Sequence, residues 1–157
     1  MFKNICLIGL PYSGKSYLGK RLAKYKKSGF IDIDKMIELN HKKELHQIIS
    51  EEGINKFIEY ENNIATSLYC YNNIISPGGS IVYSSESMYH FKNILKSKII
   101  YLKLSFNEFE NRIVDINKRG IIMKPGYDLK QLYNERIFLC EKYSDETIDV
   151  DNMKDIY

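Results

Sequence analysis

The sequence has 157 residues, of which 44% are hydrophobic and 27% are charged, as in an ordinary globular protein. A chain of this length forms one domain with a normal core, so we expect a single domain over residues 1–157 that needs no structural metal or disulfide. The net charge of +3 is small, and the lysines are scattered rather than gathered into a stripe, which argues against a nucleic-acid partner.

Three cysteines lie in separate apolar segments that lack the spacing of metal ligands: Cys6, Cys70 and Cys140. An odd number of cysteines without a secretory signal indicates a reducing compartment and buried thiols. The apolar run at the N-terminus is too short for a membrane span or for the core of a signal peptide. We therefore expect a cytoplasmic monomer with no membrane partner.

The first apolar run, Asn4–Leu10, predicts a strand that leads into the phosphate-binding pattern G-x-x-x-x-G-K-[ST] at Gly9–Ser16. A helical pattern over Lys15–Lys27 follows. The two glycines let successive backbone N–H groups point at one anion, and the helix N-terminus adds the positive end of its dipole. The Lys15 ammonium reaches the outer phosphates, and the Ser16 hydroxyl can ligate Mg²⁺. The alternative is a turn that happens to end in Lys-Ser. The order of strand, loop and helix favours a binding site for a nucleoside triphosphate instead.

The second apolar run, Phe30–Ile33, contains or precedes two aspartates that are two positions apart, Asp32 and Asp34. If Asp34 keeps strand geometry, both carboxylates point to the same side of the sheet, towards the phosphate loop. One carboxylate can then hold Mg²⁺, and the other can accept the proton of an attacking hydroxyl group. The alternative is that Asp34 caps a helix that begins at Lys35.

The rest of the chain continues to alternate between apolar runs and amphipathic stretches. We predict strands at Asn73–Ser76, Lys98–Leu104 and Thr147–Val150, and helices at Ile54–Tyr71, Ser84–Lys96, Ser105–Asn117 and Asp128–Tyr143. Five strands that alternate with helices favour an α/β fold in which a five-stranded parallel sheet is flanked by helices. Ligands of such sheets bind beyond the carboxyl ends of the strands.

Three further features supply candidate functional residues. The sequence Pro77-Gly78-Gly79-Ser80 follows the third strand, where adjacent glycines allow a ligand to approach the backbone closely, although the same sequence is typical of a simple turn. Residues 117–127 have no clear period and predict a mobile loop, in which Arg119 can close over a transferring phosphate. Arg136 lies in the last predicted helix. For either arginine, a surface salt bridge is the alternative.

Taken together and in this order, the motifs resemble those of the shikimate kinases over nearly the whole chain. Besides the phosphate loop and the aspartate pair, the resemblance rests on Glu52-Gly53, Phe57, Glu61, Ser76-Pro77-Gly78-Gly79, Tyr101-Leu102, Arg119-Gly120-Ile121-Ile122 and Asn134-Glu135-Arg136. It implies a P-loop kinase fold like that of the nucleoside monophosphate kinases, with a lid over about residues 117–127. It also implies transfer of the γ-phosphate of ATP to a ring hydroxyl group of shikimate, with Mg²⁺ as the metal.

The resemblance also implies a role for each matching residue. Lys15 and Arg119 would neutralise the transferring phosphate, and Asp34 would hold and activate the hydroxyl group. Ser16 and Asp32 would hold Mg²⁺. The acceptor site would consist of Asp34, Phe57, Gly78, Gly79 and Arg136. The ATP site would consist of Gly9, Pro11, Tyr12, Ser13, Gly14, Lys15, Ser16, Tyr17 and Arg112.

The acceptor half of the pattern departs from the family. The family has an arginine directly after Phe57 that grips the shikimate carboxylate, and this chain has Ile58 there. Lys56 is a poor substitute, because two residues along a helix turn a side chain by roughly 200°. Losing one of two arginines that clamp a carboxylate costs about 1.5–3 kcal/mol of binding free energy. Glu61, the family's partner for that arginine, is left without it, and Ser80 replaces the third glycine of a triplet.

Two other functions stay open at the level of the sequence. One is a kinase of the same fold that phosphorylates another small hydroxylated metabolite, since one arginine fewer suits a less anionic acceptor or one that carries an amine. The other is a nucleotide-binding switch without an acceptor. The guanine-reading motif Asn-Lys-x-Asp is not present, because Asn117-Lys118-Arg119 is followed by Gly120.

Overall fold

Short apolar runs rich in Ile form the three central strands of this protein, because both faces of a parallel sheet are buried there. The computed structural model describes residues 1–113 and 121–153. The strands are β1 (Asn4–Ile8), β2 (Gly29–Asp32), β3 (Asn73–Ser76), β4 (Ser97–Lys103) and β5 (Glu146–Asp149). They pair in parallel in the order β2-β3-β1-β4-β5, so the predicted five-stranded parallel sheet is confirmed.

Helices connect these strands and cover both faces of the sheet. They are α1 (Lys15–Lys26), α2 (Ile33–His41), α3 (Leu45–Glu52), α4 (Ile54–Ser67), α5 (Ser85–Tyr89), α6 (Phe106–Arg112) and α7 (Leu129–Tyr143). A 3₁₀ turn at Ile81–Tyr83 precedes α5, and a π-helical turn at His90–Ile94 follows it.

The sheet separates two hydrophobic cores, because successive side chains of a strand point to opposite faces. In β1, Ile8 belongs to one core and Leu7 to the other, and Ile75 and Ile74 of β3 divide in the same way. Residues of α2, α3 and α4 pack in the core of Ile8, and residues of α1 and α6 pack in the core of Leu7. This packing holds the carboxyl ends of the strands rigidly at one edge of the protein.

The segment between β2 and α4 is more helical than the sequence predicts. Ile33, predicted as the end of a strand, is the first residue of α2, because Asp32 is the N-cap and accepts a hydrogen bond from the Lys35 backbone N–H at 3.1 Å. The helix α3 was not predicted at all. It begins with a capping box between Glu44 and Gln47, and glutamate is not among the residues that usually mark a helix N-cap.

Other helix ends also differ from the predictions. The helix predicted over Ile54–Tyr71 ends at Ser67, because Leu68 is extended. The helix predicted over Ser84–Lys96 divides into α5 and the π-helical turn. The predicted helix start at Ser105 is confirmed, since the Ser105 side chain accepts a hydrogen bond from the Glu108 backbone N–H at 3.2 Å.

Some predictions fall on residues 114–120 and 154–157, which lie outside the described part of the chain. They concern Arg119, the first residues of the predicted lid, and the last residues of the helix predicted to reach Asn117. The described helix α6 ends earlier than predicted, at Arg112, because Ile113 is extended. Within residues 1–113 and 121–153, no helix is both long enough and apolar enough to cross a membrane.

Candidate active site

The phosphate loop joins β1 to α1 as the sequence predicts. Gly14 is the N-cap of α1 and has a φ of 85°, a left-handed conformation that strains any residue with a Cβ atom. The Lys15 side chain is buried, and its Nζ donates hydrogen bonds to the carbonyl groups of Gly9 at 2.9 Å and Leu10 at 2.8 Å. The loop thus holds the Lys15 ammonium over its own concave side.

The two predicted magnesium ligands lie side by side. The Ser16 hydroxyl at the start of α1 donates a hydrogen bond to Asp32 Oδ2 at 2.8 Å, and Asp32 pairs in register with Ser76 on the neighbouring strand β3. A hydroxyl oxygen and a carboxylate oxygen are hard donors that fit Mg²⁺, which usually takes few protein ligands and completes its shell with phosphate and water. Among the described residues, no group of three or more His, Cys, Asp or Glu side chains could hold a metal ion.

The prediction that Asp34 continues the strand is wrong. Asp34 is the second residue of α2, and the alternative role of N-cap belongs to Asp32 instead. Because β2 passes into α2 without a connecting loop, the first turn of α2 still places Asp34 on the cavity that contains Lys15 and Ser16. The two aspartates therefore serve the same site through different local structures.

One cavity of about 290 Å³ joins the phosphate loop to the predicted acceptor residues. Its walls include the predicted residues Pro11, Tyr12, Gly14, Lys15, Ser16, Tyr17, Asp34, Phe57, Gly78, Gly79 and Arg136. A smaller cavity of about 190 Å³ adjoins it, and Asp32 lies there together with Ser16 and Asp34. Among the described residues of the larger cavity, the cations are Lys15 and Arg136 and the carboxylate is Asp34.

Three residues predicted for the ATP site lie behind the loop rather than on the cavity: Gly9, Ser13 and Arg112. Gly9 and Ser13 are buried, and a Cβ atom on Gly9 would lie 2.8 Å from the Leu102 carbonyl oxygen. Arg112 forms an ion pair with Glu108 at 2.7 Å and donates a hydrogen bond to the Tyr12 carbonyl at 3.2 Å. In this structure Arg112 thus braces the phosphate loop from α6.

Arg136 is fully buried at the acceptor end of the cavity. Its guanidinium donates a hydrogen bond to the Ile122 carbonyl and lies 5.5 Å from the centre of the Tyr83 ring. The neighbouring Glu135 accepts a hydrogen bond from Tyr127 at 2.8 Å and pairs with Lys124 at 2.7 Å. Residues 121–127, the described part of the predicted lid, are therefore tied to α7 beside the cavity.

The position at which the family has its carboxylate-binding arginine lies outside the cavity. Ile58 packs at the edge of the hydrophobic core, and Phe57 contributes the cavity wall. Lys56 is exposed and paired with Glu59 at 2.9 Å, in agreement with the prediction that it faces away.

Glu61 on α4 is hydrogen-bonded to Ser80, whereas the resemblance implies an arginine as its partner. The Ser80 hydroxyl donates a hydrogen bond to Glu61 Oε2 at 2.7 Å, and both residues are buried. Burial, together with the nearby charge of Asp34, raises the pKa of Glu61 to about 8. Both Ile58 and Ser80 are visible in the sequence as departures from the family, but nothing in the sequence indicates that Ser80 and Glu61 touch.

The sequence predicts no site role for several other residues of the cavity wall: Leu45, Ser76, Pro77, Ser80, Ile121 and Ile122. Leu45 is the first residue of α3, which was not predicted. Ile121 and Ile122 follow Arg119 in the matched family motif, and their apolar side chains inside the predicted polar loop were the available signal.

Replacing Gly78 with alanine tests whether the close packing around Asp34 matters. A Cβ atom there would lie 2.6 Å from Glu61 Oε1 and 2.7 Å from Asp34 Oδ1, so one of these side chains must move. We expect kcat to fall by about 10- to 100-fold, because small displacements of a reacting group have effects of this size. ATP affinity, measured by titration, should stay unchanged.

Gly29→Ala is the matched control for Gly78→Ala. It meets only the half-buried Asn73 side chain, at the end of β2 away from the cavity, and that side chain can rotate away. Full activity of Gly78→Ala would contradict the importance of this packing.

Comparisons with known proteins agree with this geometry. A family model described as "Shikimate kinase" matches residues 11–156. A shikimate kinase of Clostridium botulinum (strain Okra / Type B1) is 35% identical over 144 residues, covering 89% of this chain and 84% of the relative. A shikimate kinase of Dictyoglomus turgidum is 34% identical over 169 aligned positions, covering 99% and 92%.

Solved structures share the fold. Shikimate kinase from Aquifex aeolicus superposes with a TM-score of 0.80 at 26% identity, over 93% of this chain and 86% of that chain. Shikimate kinase from Acinetobacter baumannii in complex with shikimate superposes with a TM-score of 0.82 at 23% identity, over 94% and 83%. From its sequence matches and its P-loop fold together, this chain belongs to the shikimate kinase family.

Proposed function

We propose that this chain transfers the γ-phosphate of ATP to a hydroxyl group of shikimate. The observation that carries the proposal is the continuous cavity in which the phosphate loop, with Lys15, meets Asp34 and Arg136 at the other end. A nucleotide switch has no need for the second half of this cavity. The shikimate kinase relatives, similar to this chain over most of their own lengths, support the same reaction.

In the proposed reaction, Lys15 acts on the transferring phosphoryl group and Asp34 acts on the acceptor hydroxyl group. The buried Lys15 ammonium lies at the loop, where exchange of its bonds to the Gly9 and Leu10 carbonyls lets it neutralise charge on the transferring phosphoryl group. Asp34 lies on the same cavity and accepts the proton of the attacking hydroxyl group. Arg136 supplies a buried positive charge for an anionic acceptor. Arg119 lies outside the described residues, and its role over the phosphate stays the prediction made from the sequence.

Ser16 and Asp32 would hold Mg²⁺, since their oxygens are within hydrogen-bonding distance of each other and are donors of the type that this ion prefers. When bound, the ion neutralises phosphate charge. Asp32 also caps α2, so the same carboxylate fixes the helix that carries Asp34.

We also propose that the protein works as a monomer in the cytoplasm. Lys15, Asp34 and Arg136 of a single chain meet in one cavity, which supports a site that one chain can form. The three cysteines are free thiols, in keeping with a reducing compartment.

A product assay with a panel of acceptors tests the proposed reaction. ATP and Mg²⁺ are supplied with shikimate, with hydroxylated acids of similar size, and with neutral and amine-bearing polyols, and phosphorylated products are detected by mass spectrometry. We expect the highest kcat/KM with shikimate. If shikimate reacts no better than unrelated polyols, the proposed substrate is wrong.

The structure also favours a second candidate, a kinase for a less anionic hydroxylated metabolite. The described part of the cavity provides one arginine at the acceptor end, Arg136, and Ile58 lies outside the cavity. Turnover of a neutral or amine-bearing member of the panel in preference to shikimate would support this candidate, and it would leave the kinase chemistry unchanged.

The variant Ile58→Arg separates the two candidates. Ile58 lies three residues before Glu61 on α4, and residues at this spacing are neighbours on a helix surface. If the acceptor is shikimate, the added guanidinium should lower its KM by about one to two decades, a gain of about 1.5–3 kcal/mol.

Thermal unfolding accompanies this assay, because a charge at the edge of the hydrophobic core costs stability. Lys56→Arg on the exposed face is the control and should leave the KM unchanged. An unaltered KM in a folded Ile58→Arg protein would mean that the acceptor is something other than shikimate or that it is held differently.

A further inference from the structure

A buried carboxyl group to which the proposed reaction assigns no role lies behind the acceptor end of the cavity. Glu61 is 1% exposed and lies on α4, behind the loop that follows β3. Its Oε2 atom accepts the hydrogen bond from Ser80, whereas its Oε1 atom has no hydrogen-bond partner among the described residues. A buried polar atom without a hydrogen bond lowers the stability of the fold, so the presence of Glu61 here needs an explanation.

The surroundings of Oε1 suggest that explanation. Glu61 Oε1 and Asp34 Oδ1 lie 2.6 Å and 2.7 Å from the same point, the place where a Cβ atom on Gly78 would be. The absence of a side chain at Gly78 is what lets the two carboxyl groups approach each other. Two carboxylates this close in a buried place repel each other strongly, and one of them is expected to keep its proton.

We propose that Ser80 and Glu61 form a positioning pair for the acceptor site, in which the Ser80 hydroxyl fixes a neutral Glu61 carboxyl group against Gly78 so that it holds Asp34 in its catalytic orientation. This inference rests on the proposed function, because it assigns Asp34 to the acceptor. Glu61 does not line the cavity and acts only through Asp34 and Gly78.

The surrounding charges are consistent with a neutral Glu61. Asp34 faces it from α2, Ser80 from the loop after β3, Arg136 from α7 and Lys15 from α1. Burial and Asp34 raise the pKa of Glu61, and the Ser80 hydrogen bond, Arg136 and Lys15 oppose them without restoring the ordinary value. At neutral pH the uncharged carboxyl group therefore does not repel the Asp34 carboxylate, while its Oε2 atom keeps the hydrogen bond from Ser80.

The test uses the full chain and two matched serine variants. Ser80→Ala removes the hydroxyl that holds Glu61. Ser87→Ala removes another buried serine hydroxyl, which donates to the neighbouring α4 residue Asn62 at 3.1 Å and lies outside the cavity. We expect both variants to lose similar amounts of stability, but only Ser80→Ala should lower kcat, by about 10- to 100-fold, with the KM for ATP unchanged. Equal kcat values in the two variants would overturn the proposal.

A second measurement needs no acceptor and keeps the proposal testable if shikimate is not the substrate. The pKa of Glu61 is higher in the folded protein than in the unfolded chain, so folding favours the protonated form. This contribution to stability is complete below about pH 4.5 and is lost as the pH rises through about 8. Between these values the free energy of unfolding should fall with rising pH in the wild type.

The variant Glu61→Gln cannot ionise but keeps the shape of the side chain and its bond to Ser80. In denaturant titrations from pH 5 to pH 9, we expect it to lack the part of the slope that Glu61 contributes, and to retain most of the wild-type kcat at pH 7. An unchanged slope, or a loss of kcat as large as that of Ser80→Ala, would refute a neutral positioning group. Absence of shikimate turnover in the wild type would instead refute the proposed substrate.

Discussion

Asp34→Asn should lower kcat by about 10²- to 10⁴-fold, the usual contribution of a general base, while ATP affinity stays close to that of the wild type. Asparagine keeps the size of the side chain but cannot accept the proton of the attacking hydroxyl group. Asp34 lies on the cavity and the capping of α2 depends on Asp32, so the fold should survive the change.

Steady-state rates and ATP titrations of purified Asp34→Asn measure both quantities. Asp145→Asn is the matched control, because Asp145 accepts a hydrogen bond from the Ile99 backbone at 2.9 Å and pairs with Lys92 at 2.8 Å, near the start of β4 and away from the site. That control should lose stability and keep its kcat. A fully active Asp34→Asn protein would rule out Asp34 as the base.

Lys15→Met should reduce kcat by at least about 10²- to 10³-fold, as removal of one electrostatic stabiliser of a transition state does. Methionine fills most of the space of the buried lysine stem, but it cannot neutralise charge on the transferring phosphate or donate to the Gly9 and Leu10 carbonyls. We therefore expect a modest loss of thermal stability and a much larger loss of turnover.

Lys20→Met is the control for Lys15→Met, since Lys20 is an exposed residue of the same helix. Single-turnover rates at saturating ATP separate the chemical step from nucleotide affinity. If Lys15→Met and Lys20→Met have the same single-turnover rate, the Lys15 ammonium does not act on the transferring group.

The phosphate loop and the sheet could be predicted because their signals are local. The pattern Gly9–Ser16 specifies backbone conformation and chemistry within eight consecutive residues, and the apolar strands need only a buried position on both faces. The rule that ligands bind at the carboxyl ends of strands then located the cavity, and the residues after β1, β2 and β3 do line it.

The prediction for Asp34 was wrong because a single residue, Asp32, decides whether the chain continues as a strand or begins a helix. Asp32 and Asp34 have the spacing of one strand face, but Asp32 ends β2 by capping α2, so a helix turn rather than a strand carries Asp34 to the cavity. The sequence offers two aspartates two positions apart, and either of them can cap a helix, so the local pattern does not decide which one begins α2.

Contacts between segments that are distant in the sequence could not be predicted either, because they depend on how the segments pack. The bond from Ser80 to Glu61 depends on how α4 packs against the loop after β3, and the bond from Arg136 to Ile122 depends on where residues 121–127 lie. Both departures from the family, Ile58 and Ser80, were visible in the sequence. That Ser80 supplies a new partner for Glu61 became visible only in three dimensions.

The two oxygens of Asp32 have different partners: Oδ2 accepts from the Ser16 hydroxyl and Oδ1 from the Lys35 backbone N–H. A single rigid carboxylate thus connects the nucleotide half of the cavity to the helix turn that carries the acceptor residue. A ligand that rotates the Asp32 carboxylate from the Ser16 side therefore also shifts the first turn of α2, and a ligand that moves this turn shifts the carboxylate at Ser16. Thermodynamic linkage then requires reciprocity, so the factor by which the nucleotide changes acceptor affinity equals the factor by which the acceptor changes nucleotide affinity.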